Sequence, residues 1–359
     1  MRHSLRRSSY VVLIVASCIA LVACGGSTTS TGGPATGGTA STGSSGSDKP
    51  KGDIKVGMVS DQGGLKDGSF NELADKGRMR AESELGISSN VIESKSSSDY
   101  EPNMGKFAQQ NFSLILAVGF LQADAVTKVA ATATNTKFAL VDPADDFKPG
   151  PNVRGIKFKE QEAGYLAGAL AGMVESDGKL KGLNGAKVVS SVGGQNIPPV
   201  ARYIAGFEAG VKAYCSDCKI IHTFSEDFIA QDKCKEQATT QIGQGSDIIF
   251  QVAGLCGLGA LDAAKSKGVW GIGVDADQSS LGSHILTSAL KKVDVAVFDT
   301  IKSVKEGTFQ GGAIGTYGLP EDGVGLGAIA PAAQAYEPKI AKVIEDIKAG
   351  KITIPSEIK

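Results

Sequence analysis

The stretch Asp61-Gln-Gly-Gly-Leu-Lys-Asp-Gly-Ser-Phe-Asn71 follows an apolar run, Ile54–Val59, and precedes an amphipathic segment, Glu72–Leu85. A short apolar run bounded by turn residues reads as a buried strand, and the segment after it reads as a helix. The stretch is therefore a strand-to-helix loop. In open α/β sheets such loops sit at the C-terminal edge of the strands, where ligands bind. Its glycines allow close backbone approach, Asp61 and Asn71 offer hydrogen bonds, and Phe70 offers a flat apolar face. The competing reading is an ordinary connection in which Asp or Ser caps the next helix.

The same alternation continues outward from this loop. Val91–Ser94, Leu114–Val118 and Phe138–Val141 read as further strands, with helices near Glu101–Asn111 and Asp124–Ala133. A short extended segment, Val153–Phe158, leads into a small-residue helix over Glu160–Glu175, and the pattern then restarts. Lys187–Val192, Lys219–Thr223, Asp247–Val252 and Val269–Val274 read as strands; Pro199–Tyr214, Asp232–Gln244 and Gly257–Ser266 read as helices. Strands alternating with helices predict parallel sheets covered on both faces. Two successive sets predict two α/β lobes, with the chain crossing at Val153–Phe158 and again at Val274–Asp277. On this reading one lobe takes residues 53–155 and about 278–311, the other 156–277 and about 312–359.

Polar or glycine-rich residues recur at the predicted strand ends: Gly119-Phe120, Asp142, Val192-Gly-Gly-Gln195, Phe224, Gly254–Gly257 and Asp275, with Lys291 beyond. Two lobes facing each other would line one cleft with them. The inventory of carboxylates, phenylalanines and glycines suits a flat, neutral, hydroxyl-bearing ligand, since rings stack on Phe and carboxylates accept from hydroxyls. It suits a phosphate poorly, because Asp61, Asp142 and Asp275 would repel it. Each residue also has a plainer reading: Phe70, Phe120 and Phe224 as core, Asp142 and Asp275 as helix caps, Lys291 as a solvated side chain. Gly254-Leu-Cys-Gly-Leu-Gly259 lacks the spacing of a dinucleotide loop, and no cofactor is implied.

With 37 basic and 38 acidic residues and a net charge of -1, the chain has no electrostatic footprint for nucleic acid. Three histidines, one of them in the first ten residues, form no sequence-local metal pair, and no G-x-S-x-G elbow is present. The expectation is a binding protein, not an enzyme. Arg2, Arg6 and Arg7 precede an apolar run over Tyr10–Val22, the pattern of a secretory signal. Leu21-Val-Ala-Cys24 is similar to a bacterial lipoprotein signal box, in which the cysteine, here Cys24, becomes the lipid-bearing first residue. Residues 25–52 are almost wholly Gly, Ser, Thr, Ala and Pro, which predicts a flexible tether with a reach on the order of 30 Å. Beyond the signal, Cys215, Cys218, Cys234 and Cys256 read as disulfide formers in an oxidising compartment, with three pairings open.

The pieces Asp61 with Asp67-Gly-Ser-Phe-Asn71, Gly119-Phe120, Phe138-Ala-Leu-Val-Asp142, Glu162-Ala-Gly-Tyr-Leu-Ala-Gly168, Val192-Gly-Gly194, Gly206-Phe-Glu-Ala-Gly210, Gln251-Val-Ala-Gly254, Ile272–Gln278 and Leu286–Lys291 run in order through nearly all of the body. Together they resemble the BMP family of basic membrane lipoproteins, the purine nucleoside receptor type of ABC-importer binding protein. The resemblance implies a two-lobed type I periplasmic-binding-protein fold with a three-segment hinge. It also implies a purine nucleoside sandwiched by Phe70 and Phe224, with Asp61 and Asn71 at the base. Asp142, Asp275 and Lys291 would then hold the ribose, with Phe120 beside the ligand and Gly254 giving backbone contacts. The implied partners are an ABC permease and its ATPase, with the chain a lipid-anchored extracytoplasmic monomer. A tethered sensor with the same pocket, a nucleoside-cleaving enzyme, or a receptor for a sugar or other small solute are the rivals. The sequence departs from the family pattern after Phe224 and at Leu255-Cys256.

Overall fold

Strand β1 (Lys55–Val59) is buried along all but its first residue, and β3 (Leu114–Val118) is buried throughout. Such near-continuous apolar runs form where both faces of a parallel sheet are covered. The computed structural model describes residues 54–358; the signal segment, Cys24 and the tether lie outside the described residues. In the first lobe β2 (Ser88–Ile92), β4 (Lys137–Val141) and β5 (Val153–Phe158) join β1 and β3. Helices α1 (Phe70–Leu85), α2 (Tyr100–Gln109) and α3 (Ala123–Thr132) connect them. The second lobe begins with α4 (Glu160–Asp177) and continues through β6 (Val188–Gly193), α5 (Pro198–Tyr214), β7 (Lys219–Phe224) and α6 (Gln231–Gly243). It then runs through β8 (Ser246–Val252), α7 (Gly254–Lys267), β9 (Trp270–Asp275) and β10 (Ile285–Lys291). The remaining elements are α8 (Val293–Lys305), β11 (Ala313–Tyr317), β12 (Val324–Leu326) and α9 (Glu337–Lys348).

The first sheet has the order β11-β5-β4-β3-β1-β2, and the second β12-β10-β9-β8-β6-β7. All neighbours are parallel except β12, which runs antiparallel to β10 on an edge. The α/β class and the doubled parallel architecture are those expected. The chain passes between the sheets three times, after β5, after β10 and between β11 and β12.

Two expected boundaries are corrected. Ile285–Lys291 belongs to the second sheet, paired with β9, so the second crossing falls at Lys291–Val293 and not at Val274–Asp277. Residues 313–317 return to the first sheet beside β5, so 312 does not open the second lobe. The reason is that an apolar run shows that a strand exists but not which sheet completes it. In β10 the buried Thr287 and Ser288 weaken even that signal; they bond to Gly327 O (3.2 Å) and Gln278 N (3.0 Å), contacts that sequence does not display. The predicted strand at Val91–Ser94 likewise sits earlier, at Ser88–Ile92, because pairing of Lys55 with Ser88 sets its start on a sheet edge that tolerates polar residues.

The second lobe is built around α4, which buries nearly every residue from Glu160 to Glu175. It packs on α5 with backbones in contact: a Cβ on Gly168 would collide with the carbonyl oxygen of Phe207, and one on Gly206 with that of Gln161. This close approach is what the Glu162–Gly168 and Gly206–Gly210 stretches encode.

Glu175, near the end of α4, and Asp247, at the start of β8, are both buried. Burial, together with the neighbouring Asp247 carboxyl, pushes Glu175 up to about 9. A carboxyl raised in the folded state contributes stability that is fully present below its unfolded value of about 4.3 and is lost as pH climbs toward 9. Glu175→Gln is therefore expected to flatten the fall in urea-unfolding free energy between pH 5 and 9, by up to about 1.4 kcal/mol per pH unit. An unchanged slope would show that Glu175 holds no proton in this range.

Candidate functional site

The C-terminal ends of the parallel strands in both lobes meet at one cleft with about 630 Å³ of empty space. Asp61, Phe70, Asn71, Phe120, Asp142, Gly254, Asp275 and Lys291 all line it.

The Asp61–Asn71 loop is held by its own side chains. The Asp67 carboxylate accepts from the backbone N–H groups of Ser69 (3.0 Å), Asn71 (2.9 Å) and Glu72 (3.1 Å), neutralising the open start of α1. Asn71 spends its amide inside the loop: Oδ1 accepts from Asp61 N–H at 2.8 Å, and Nδ2 donates to Gln62 O at 3.0 Å. Asp61 is thereby aimed by Asn71, and its carboxylate accepts from Gln62 N–H (2.8 Å) and from the Tyr100 hydroxyl. Burial raises Asp61 to about 6 despite these bonds. Gly119 is obligatory behind it, because a Cβ there would run into Asp61 Oδ2, and its φ of 120° suits only glycine.

Asp142 and Asp275 occupy matching positions, at the ends of β4 and β9. Both adopt left-handed backbone, φ 64° and 60°, a conformation that a short polar residue tolerates and that turns the carboxylate off the strand into the cleft. Their surroundings differ. Asp275 has both oxygens engaged, Oδ2 by Ser69 Oγ (2.7 Å) from the first lobe and Oδ1 by the Tyr203 hydroxyl (3.1 Å). Asp142 accepts from Lys291 Nζ on Oδ2 at 2.6 Å, while its buried Oδ1 has no partner among the described residues. Burial raises Asp142 to about 6, offset in part by Lys291, and burial likewise raises Asp275.

Lys291 is 2% exposed and also bonds Glu160 Oε1 at 2.9 Å; Glu160 in turn accepts from Arg202 Nε at 2.7 Å. Burial works against its charge, but Asp142, Glu160 and Asp275 outweigh burial and raise Lys291 overall. Its ammonium lies 5.1 Å from the centre of the Phe70 ring. Arg202 reaches Asp145 of the first lobe at 3.3 Å, so the cluster spans the hinge with alternating sign. Glu160, Arg202, Tyr203 and Tyr100 carried no sequence signal: each sits within a helix where a buried polar role looks like any solvated one.

Phe224 is the exception among the expected site residues. It ends β7, but its ring lies on Gly193, where a Cβ would come within 2.7 Å, and it does not line the cleft. The chain then doubles back. Ser225 N–H donates to Gly193 O (2.9 Å) and Glu226 N–H to Gly194 O (3.0 Å), with Glu226 at φ 53°. This turn lays Phe228 on Gly194 and into the cleft, in the place expected for Phe224. Strand periodicity extends only to Phe224; the doubling back is set by pairing to β6, which sequence does not show. No cluster of three or more His, Cys, Asp or Glu side chains among the described residues is placed to hold a metal ion. Among them, too, no helix is long and apolar enough to cross a membrane.

Comparison with known proteins agrees with this geometry. The chain is similar to the "CD4+ T-cell-stimulating antigen" of Listeria innocua, 34% identical over 336 residues and covering 88% of each chain. It is also similar to the "ABC transporter nucleoside-binding protein BmpA" of Lactococcus lactis subsp. cremoris, 33% identical over 333 residues, covering 87% of this chain and 92% of that one. A solved solute-binding protein of an ABC transporter system from Aeropyrum pernix K1 superposes with a TM-score of 0.76 at 28% identity, over 85% of this chain and 94% of that one. The family profile "ABC transporter substrate-binding protein PnrA-like" matches residues 54–357. That match spans nearly all of the described chain, which therefore belongs to the PnrA-like family of ABC transporter substrate-binding proteins.

Proposed function

We propose that the protein captures a purine nucleoside between its lobes and delivers it to an ABC permease. The observation that carries this reading is one aromatic ring from each lobe, Phe70 and Phe228, lining the same cleft as Asp142, whose buried Oδ1 has no partner among the described residues. A purine is a flat ring that stacks between two phenyl faces. A ribose hydroxyl would supply the donor that Asp142 lacks. Asp61, held by Asn71 and Tyr100, faces the base as an acceptor or, near its raised pKa, as a donor. Lys291 and Asp275 hold the sugar side, and Phe120 and Gly254 complete the walls. The carboxyl-rich lining disfavours a nucleotide, whose phosphates would meet Asp61, Asp67, Asp142 and Asp275. The name of the Lactococcus relative supports the same ligand class. Lipid attached at Cys24 would anchor the body outside the membrane as a monomer on its tether.

Stacking contributes about 1–3 kcal/mol per aromatic face, and micromolar affinity needs about 8 kcal/mol in all. Calorimetric titration with inosine, guanosine, adenosine, the free bases, nucleoside monophosphates and simple sugars tests the reading. Nucleosides are expected to bind at micromolar or tighter Kd, free bases at least about tenfold more weakly for want of the ribose contacts, and monophosphates weakest. Tighter binding of a sugar than of any nucleoside would overturn it.

A further inference from the structure

We propose that the Cys234–Cys256 disulfide preorganises the second-lobe wall of the cleft, fixing Phe228 against Gly254 and Leu255 before any ligand arrives. Its consequence for binding rests on the reading above, that a flat ring stacks on Phe228.

The half of the wall that carries Phe228 is thinly supported by ordinary packing. It hangs from β7, an edge strand that is exposed or half-exposed at every residue and pairs only with β6. It continues into α6, where only Cys234, Ala238 and Gln241 of 13 residues are buried. Segments with so little buried apolar surface open locally at low cost. The wall on the other lobe differs, because Phe70 opens α1, whose loop is laced by Asp67 and whose body packs so closely on α8 that a Cβ on Gly77 would strike the Asp294 carbonyl.

What replaces packing is a closed ring of bonds. The Asp227 carboxylate accepts from Ile229 N–H (2.8 Å), Ala230 N–H (3.0 Å) and Lys233 Nζ (2.7 Å), tying the residues around Phe228 to the first turn of α6. Cys234 on that turn is bonded covalently to Cys256, with Cα atoms 5.6 Å apart. Cys256 N–H then donates back to the Phe228 carbonyl at 3.0 Å. Cys256 lies in the first turn of α7, directly after Gly254 and Leu255, both of which line the cleft. The ring therefore contains both halves of the wall. The α6 and α7 backbones also touch, since a Cβ on Gly259 would meet the Gln231 carbonyl. Both half-cystines are fully buried, out of reach of thiols in the folded protein, so the bond is a permanent staple and not a redox switch. A ligand that meets a wall already in place loses less to ordering it, which raises affinity without a new contact.

The other disulfide is an internal control. Cys215–Cys218 joins residues three apart at the end of α5, before β7 begins, at the opposite edge of the sheet from the cleft. Hydrogen exchange and nucleoside titration on the intact protein, C234A/C256A and C215A/C218A separate the possibilities. In C234A/C256A the amides of residues 228–230 and 254–257 are expected to exchange about tenfold faster or more, with those of residues 69–73 unchanged. The Kd for the best-bound nucleoside is expected to rise about tenfold, through faster dissociation. C215A/C218A should leave both readouts at their original values. Unchanged exchange in the wall overturns the proposal, whatever the ligand. Faster exchange with unchanged Kd overturns its binding half and leaves the bond a stabiliser only. Failure of the unmodified protein to bind any nucleoside would sink the ligand reading, while the exchange data would still decide the wall. Should C234A/C256A not fold, C234A/C256V, which refills the space, gives the same comparison.

Discussion

Replacing Lys291 by methionine is expected to lower the unfolding free energy by about 3–5 kcal/mol, the cost of leaving a buried carboxylate without its counter-ion. Among the described residues Lys291 is the one cation that touches both Asp142 and Glu160, at 2.6 and 2.9 Å, and all three side chains are within 5% of complete burial. Arg202 stays on Glu160 when Lys291 is lost, so the uncompensated charge falls on Asp142. The variant should then bind a proton there. Its folded-state pKa at Asp142 rises further above the unfolded value, so K291M should be closest to the parent at low pH and fall behind as pH increases through neutrality. Denaturant unfolding at pH 5 and pH 8 checks this. D142N/K291M should recover much of the loss, because asparagine needs no counter-ion; a loss that stays the same would place the energy elsewhere. A K291M loss below about 1 kcal/mol would mean that the hinge cluster is solvated and not a buried network.

The largest effect on binding is expected from the two rings. Phe70→Ala and Phe228→Ala should each weaken nucleoside binding by about 5- to 150-fold, the equivalent of 1–3 kcal/mol of stacking. Phe224→Ala should change Kd by less than about twofold while lowering thermal stability, since its ring packs on Gly193 and not in the cleft. This triplet is informative because a sequence reading and the structure disagree about it. If Phe224→Ala abolished binding and Phe228→Ala did not, the doubling back of the chain after β7 would be wrong in solution. Equal, modest losses from Phe70→Ala and Phe228→Ala would argue against a sandwich and for a ligand resting on one wall.

Most of the strand-end positions that line the cleft were legible in the chain. The loop Asp61–Asn71 lies between an apolar run and an amphipathic run, so its place at a strand end followed from periodicity, as did Phe120, Asp142, Gly254 and Asp275. Roles were less legible than places. Asn71 has the chemistry to read a base, yet the fold uses its amide to aim Asp61. Asp142 and Asp275 look equivalent in sequence, but only Asp142 keeps an oxygen without a partner among the described residues, because Tyr203 and Ser69 reach Asp275 from separate lobes. Glu160 and Arg202 complete the charge balance from helices whose sequence gives no sign of it.

Hydrophobic periodicity thus determined, by itself, the α/β class, the two sets of parallel strands and the loops that line the cleft. It could do so because burial of both sheet faces writes a local pattern into each strand. The tertiary structure alone decided which sheet receives Ile285–Lys291 and Ala313–Tyr317, which cysteines pair, and that Phe228 and not Phe224 reaches the cleft. Each of these depends on a partner far away in the chain: β9 for β10, Cys256 for Cys234, the Gly193 and Gly194 carbonyls for the turn before Phe228. Pairing across such distances is selected by the summed fit of the whole core, and no window of sequence contains both halves of the choice.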